Sequence, residues 1–304
     1  MRYFVLWLSG LVMLGWTVSA QQIPVSTIFM ENPFAFNPAV AGTDNGFKIR
    51  MDNRIQWLGF TDAPFTNLIS AYGPHQSRNI GYGGNIMVDQ TGPVSMFKGN
   101  GAFATNFAIN FDIRVSFALN LGFIQYRTNG GQFILYAPEP ELNAVMSSFR
   151  PDAGVGIYVY HYDWYIGMSA QQLFNNNLKL TPKGQDNKLN RLKTHFYGYG
   201  GYRFTMVNKF VIEPSVLMRK VVSLPFQMDL CGKVIYNDQI WGGLSARNTF
   251  SSFDDLSLIF GYIHDHKILI SIAYDYSFAK IGKFTAGTIE LTLGYNFTNI
   301  RKGR

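Results

Sequence analysis

The chain uses three things sparingly. It has one cysteine, Cys231, so no disulfide can form within it. Only 15% of its 304 residues are charged, against about 25% in typical soluble domains. After the first twenty residues it has no apolar run approaching the roughly 18 residues that mark a spanning helix. These shortages exclude a disulfide scaffold and a helical membrane bundle, and they fit an ordinary soluble domain poorly. What is present is 47% hydrophobic and 16% aromatic residues, broken into strand-length bursts from Phe47 to Phe297. In the clearest burst Ile268, Ile270, Ile272, Tyr274, Tyr276 and Phe278 fall on one face, while Ser271, Ala273, Asp275 and Ser277 fall on the other. A period of two separates the faces of a strand, whereas a helix would smear them around its circumference.

The first residues read as an export signal. Met1-Arg2 is positive, Tyr3 to Trp16 is mostly apolar, and Val18-Ser19-Ala20 ends in small residues, so cleavage after Ala20 is expected. Residues 46–298 form the strand region, and residues 299–304 a basic tail. Residues 21–45 form a non-strand lead-in, interrupted at Asn32-Pro33 and Asn37-Pro38, that caps or plugs one end of the strand region.

Many apolar faces without a spanning helix point to an all-β fold, an antiparallel up-and-down transmembrane β-barrel, because a closed sheet satisfies its own backbone in lipid. A soluble β-sandwich is the alternative. Strands are expected near 46–60, 64–75, 79–92, 93–108, 111–127, 151–161, 163–173, 194–205, 208–221, 224–236, 238–249, 253–264, 266–278 and 285–298, about 14 in all. Short turns fall at His161-Tyr162-Asp163, Val207-Asn208-Lys209, Tyr236-Asn237-Asp238 and Asp265. Two longer gaps, Asn129 to Arg150 and Asn175 to Lys193, read as exposed loops.

Alternation assigns the faces. Val115, Phe117, Leu119, Leu121 and Phe123 should meet lipid, as should Val155, Ile157 and Val159. Arg114, Ser116, Asn120, Glu213, Ser215 and Arg219 should point inward, since Arg or Lys at the bilayer midplane costs roughly 2–4 kcal/mol. Trp164, Tyr165, Trp241 and Tyr295 suit aromatic girdles. Strand glycines such as Gly81, Gly83, Gly198 and Gly200 suit bends or close contacts in the lumen.

Chemistry is sparse. The net charge of +7 comes from scattered Lys and Arg with no basic block, so no nucleic-acid partner is expected. The histidines are dispersed, and His264-Asp265-His266 reads as a polar turn rather than a metal site. No serine carries the spacing of a nucleophile. The chain is not expected to be an enzyme or to hold a cofactor or metal.

An ordered series of fragments carries a resemblance. Asn32-Pro33-Phe34-Ala35-Phe36-Asn37-Pro38-Ala39-Val40-Ala41-Gly42 precedes Arg54-Ile55-Gln56-Trp57-Leu58-Gly59-Phe60. Then come Ala63-Pro64, Ser70, Gly73-Pro74, Asp89 with Gly92-Pro93, Pro151-Asp152, Gly201-Tyr202-Arg203-Phe204, Glu213-Pro214-Ser215-Val216-Leu217 and Glu290 to Phe297. Over essentially its whole mature length the chain resembles the PorP/SprF family of type IX secretion outer-membrane proteins of the Bacteroidota. It departs from that pattern at Gln21-Gln22-Ile23-Pro24 and at Ala286-Gly287-Thr288.

The resemblance implies an outer-membrane, non-enzymatic role in protein secretion. The partners it implies are a periplasmic lipoprotein and peptidoglycan-linked components of the machinery, or the C-terminal domain of a secreted adhesin, in addition to outer-membrane lipid. Motif residues Asn32, Pro33, Asn37, Pro38, Arg54, Gln56, Trp57, Gly59, Asp89, Glu213 and Arg219 then have two readings. They either fix the barrel interior, with Arg54 paired to a carboxylate such as Asp89 or Glu213, or they meet partners. The competing function is a diffusion channel for a small or hydrophobic solute, against which inward Tyr158, Tyr160, Tyr197 and Tyr199 would tend to block the lumen.

Overall fold

The computed structural model describes residues 26–132, 145–178, 191–222, 224–249 and 252–297. The expected signal peptide, the first five lead-in residues and the basic tail lie outside this set, as do the middles of the two longer gaps. The strands are β1 (Phe47–Ile55), β2 (Phe65–Pro74), β3 (Ile80–Thr91), β4 (Val94–Ala108), β5 (Arg114–Asn129), β6 (Val145–Tyr160), β7 (Trp164–Gln171) and β8 (His195–Tyr202). After them come β9 (Phe204–Thr205), β10 (Phe210–Val221), β11 (Gln227–Tyr236), β12 (Ile240–Thr249), β13 (Ser252–His264), β14 (Ile268–Ser277) and β15 (Thr288–Phe297).

Strands pair antiparallel in sequence order, with β8 joined to β10, and β1 pairs with β15 from Phe47↔Phe297 to Ile55↔Ile289, which closes the sheet. The result is a 14-strand barrel with one extra element, the two-residue β9, which pairs with β10 just beyond β8. Closure removes the sheet edges that lipid would leave unpaired. The expected strand at 194–205 is divided there because Arg203 breaks the ladder.

Because β1 begins and β15 finishes at one rim, that rim can be called the terminal end and the other the loop end. Hairpins at the terminal end are tight. Asn237-Asp238 and Asp265-His266 have φ of 54°, 52°, 49° and 57°, the left-handed pair of a type I′ turn whose twist matches its strands. The polar turn expected around Asp265 is therefore a hairpin reversal.

Side-chain faces agree with the expected parity, except that Gly198 and Gly200, expected at bends or close contacts in the lumen, lie on the outward face shared with Phe196 and Tyr202. Phe117, Leu119 and Leu121 are exposed on the outer wall, while Ser116, Ala118 and Asn120 are buried in the lumen. In β14 buried and exposed residues alternate along the whole strand.

Three further expectations are corrected. Trp241 is 3% exposed and lies inside the lumen, with the Lys233 ammonium 5.0 Å from its ring, and not in a girdle. Tyr165 also turns inward, to Tyr158 and Tyr199. Strand parity decides the face, and both residues share it with inward neighbours such as Ser245 and Ser169. The third correction concerns the segment from Asn175 to Lys193, whose described ends are not wholly exposed. Asn177 bridges to Arg191, and Leu178 and Leu192 bury themselves against Leu68, Met87 and Ile124. A loop rich in Asn and Lys reads as solvated, yet Leu178 and Leu192 cover an apolar patch that this end of the lumen would otherwise expose to water. The other gap is shorter than expected, since β6 already begins at Val145.

Candidate functional site: a lumen filled by the lead-in

Residues 26–43 run through the lumen from near its loop end to the terminal end, where the chain enters β1. Two Asn-Pro pairs shape this segment. Each proline starts a short 3-10 turn, Pro33–Ala35 and Pro38–Val40, because its fixed φ suits a first helical position and its missing N–H is not needed there. Each asparagine ties the segment to the wall. Asn32 Nδ2 donates to Asp52 Oδ2 at 2.5 Å and Ser70 Oγ at 3.0 Å. Asn37 Oδ1 accepts from Ala39 N at 2.9 Å, while its Nδ2 donates to the carbonyls of Ile157 at 3.0 Å and Met168 at 3.3 Å.

The wall is recessed to receive it. A Cβ placed on Gly156 would lie 2.1 Å from Asn37 Oδ1, and one on Gly81 would lie 2.2 Å from the Ala41 carbonyl oxygen. Only glycine allows such approach. Aromatic contacts fill the rest, with Phe34 stacked on Tyr72 at 4.7 Å and Phe36 against Tyr197 and Tyr199 at 5.9 and 5.2 Å. The inward tyrosines therefore pack on a plug instead of lining an open passage.

Near the loop end lies a buried ionic cluster. Arg54 donates to Glu290 and Asp275, each at 2.7 Å, and to Thr27 Oγ1 at 2.9 Å. Thr27 N in turn donates to Glu290 at 2.8 Å, and Thr27 Oγ1 to Asp275 at 2.8 Å. Beside this, Arg247 binds Asp229 at 2.7 Å and Asp255 at 3.1 Å, and Arg219 binds Asp229 at 2.5 Å. Buried charges persist only when paired and hydrogen-bonded, and here most pairs run wall to wall. Lower down, Lys233 joins Glu213 on the wall at 3.7 Å to Glu31 of the lead-in at 3.1 Å. Burial opposes the charged form of Glu31, but Lys233 and Arg50 outweigh it and hold its carboxyl below the ordinary value.

The motif residues are thus distributed, not gathered at one centre. Arg54 is lumenal and carboxylate-paired as expected, but with Asp275 and Glu290; Asp89 instead accepts from Thr66 Oγ1 at 2.6 Å. Sequence parity places Asp275 inward, yet its contact with Arg54, 221 positions away, arises only when β14, β15 and β1 meet at closure. Thr27, Glu31, Asp229 and Arg247 do not stand out in the sequence. Inward parity within otherwise apolar strands is the signal that could have found the latter two.

Gln56 to Gly59 extends the closing seam. Leu58 N donates to Gly287 O and Ala286 N to Leu58 O, both at 2.8 Å, beyond the last β1–β15 pair, while Gln56 N donates to Pro64 O at 2.9 Å on the β2 side. Trp57 and Gly59 have φ of 53° and 98°, and such a conformation costs a non-glycine residue about 1–3 kcal/mol. Gly59→Val should therefore speed hydrogen exchange at Leu58, whereas Trp57→Gly should leave it unchanged or slower.

A family model described as type IX secretion system membrane protein PorP/SprF matches residues 18–295. No curated protein matches the chain by sequence. Among solved structures, the toluene transporter TbuX of Ralstonia pickettii is similar in fold, with a TM-score of 0.53 at 10% identity over 90% of this chain and 94% of that one. The monoaromatic hydrocarbon channel CymD gives 0.52 at 10% identity over 90% and 93%. A deletion mutant of the monoaromatic hydrocarbon channel TodX gives 0.51 at 8% over 86% and 92%. At such identities the likeness is one of fold.

Proposed function

The chain belongs to the PorP/SprF family of type IX secretion system membrane proteins, and from that premise we propose that it is an outer-membrane component supporting secretion or surface anchoring of cargo through protein contacts. The observation that carries the proposal beyond family membership is the filled lumen. A barrel whose axis is occupied by Phe34, Phe36 and Asn37, each buried against the wall, offers partners a rigid ring of rims and loops. The tight hairpins at the terminal end and the longer loops opposite suit a periplasmic and an external rim respectively. The family is one of membrane secretion proteins, and the role needs no active centre.

Affinity isolation of the full chain from outer membranes tests this. Co-isolation of a periplasmic lipoprotein or of a secreted adhesin's C-terminal domain is expected, together with loss of cargo export in a deletion strain. Normal export from that strain, combined with a steady current through the purified intact protein in a planar bilayer, would favour the diffusion-channel reading instead. A neighbouring gene for a very large adhesin would favour the anchoring role, and a cluster of secretion-motor genes the core role.

A further inference from the structure

The outer wall has a feature that lumen packing does not explain. Across β5, β6, β7, β8 and β10 runs an apolar groove of about 630 Å³, within the roughly 300–1,000 Å³ of sites that take a drug-sized ligand. Its floor is Gly198, and Phe196, Met168 and Met218 form its sides. Glycine in a strand interior weakens the strand, so one normally expects a steric reason for it. Here there is none on the protein side, because a Cβ on Gly198 would meet nothing nearer than Met218 Cβ at 4.0 Å. This contrasts with Gly156, whose added Cβ would strike the lead-in.

The groove is capped by a cation. Lys220 pairs in register with the outward-facing Phe196, so its side chain leaves the same outer face, one residue from the loop end of β10. Its Nζ donates to Leu224 O at 2.6 Å, and no carboxylate lies within ion-pair distance among the described residues. An apolar channel along the bilayer, closed at its loop end by an ammonium with no carboxylate partner among the described residues, is complementary to a phosphorylated acyl lipid, with the chain in the groove and the phosphate at Lys220.

We infer that this groove is a lipid site for a phosphate-bearing acyl lipid of the external leaflet, lipid A by chemical class. The assignment of leaflet rests on the outer-membrane reading above. The binding itself is measured on purified protein and does not depend on secretion.

Native mass spectrometry of the delipidated full chain, titrated with lipid A or with phosphatidylethanolamine, tests the site. The parent should retain a lipid A adduct in preference to phosphatidylethanolamine. Gly198→Leu, which fills the floor, should abolish that adduct, and Lys220→Gln should weaken it about fivefold, the value of one cation near a charged lipid surface. Heat-modifiable migration on gels identifies folded barrels, and Lys220→Gln, outside the packed lumen, keeps the test decisive if Gly198→Leu assembles poorly. Equal lipid A retention by the parent and Lys220→Gln would overturn the inference. So would equal retention of both lipids by the parent, or a dimer that Gly198→Leu dissolves, since the groove would then be an interface between copies.

Discussion

Replacing Arg54 with alanine should destabilise the barrel by about 3–5 kcal/mol, the cost of leaving buried partners without their counter-charge. Arg54 neutralises both Asp275 and Glu290, side chains that are 3% and 1% exposed, at 2.7 Å each. With the guanidinium gone, two buried carboxylates would face one another and Thr27 without their counter-charge. The effect should appear as a lower midpoint in urea unfolding of the detergent-solubilised protein, monitored by tryptophan fluorescence. A companion variant separates the charge effect from simple loss of volume. Arg54→Met combined with Asp275→Asn and Glu290→Gln removes all three charges together and should recover most of the loss, because apolar or neutral replacement of a whole buried ion group is often nearly neutral. If the triple variant is no more stable than Arg54→Ala, the cluster acts through packing and not through charge.

Deleting residues 26–43 should convert a closed barrel into a conducting one. The wall pairs Arg54–Glu290, Arg247–Asp229, Arg219–Asp229 and Lys98–Asp152 do not involve the lead-in, so their charges remain matched when it is absent. Among the described residues only the Lys233–Glu31 pair joins residues 26–43 to the wall by an ion pair; the Asp44–Lys48 pair lies outside the deletion, and Lys233 keeps Glu213 as a partner. The emptied lumen keeps these wall pairs and bares beside them the Arg50 and Asp52 side chains and the Tyr72, Tyr197 and Tyr199 rings that had met the lead-in, a mixed surface that water can enter. In planar bilayers the intact protein should give no steady current and the deletion a stable open channel. Gly156→Val provides an independent route. Its side chain would collide with Asn37 and displace the lead-in locally, giving intermittent openings. A deletion variant that folds and stays closed would mean that the buried loop ends carrying Leu178 and Leu192 seal the lumen without the plug.

Much of the fold is legible because it rests on a local rule. Period-two alternation in Lys267 to Phe278 fixes which side chains share a face, whatever the rest of the chain does, and the same rule places Asp275, Arg219 and Glu213 inward. The Asn-Pro interruptions likewise remove the lead-in from the sheet, since proline cannot donate to a ladder. Aromatic residues are less legible. Tyr and Trp suit both a lipid interface and a packed interior, so composition assigns Trp241 to a girdle whereas parity and tertiary packing put it under Lys233. The loop from Asn175 to Lys193 misleads for a related reason, because Leu178 and Leu192, set among polar neighbours, give no pattern until there is an apolar patch for them to cover.

The sequence by itself determined a closed sheet with a polar interior, a separate non-strand lead-in, and through its ordered motifs the family. Tertiary structure alone decided the partners of the inward charges and the fate of the lead-in. Alternation has a range of two residues and specifies a face, but a buried ion pair is set by which strands become neighbours and at what height. Arg54 meets Glu290 across 236 positions because β1 and β15 close the ring, and Asn37 finds its recess only where Gly156 and Gly167 come diagonally together on β6 and β7.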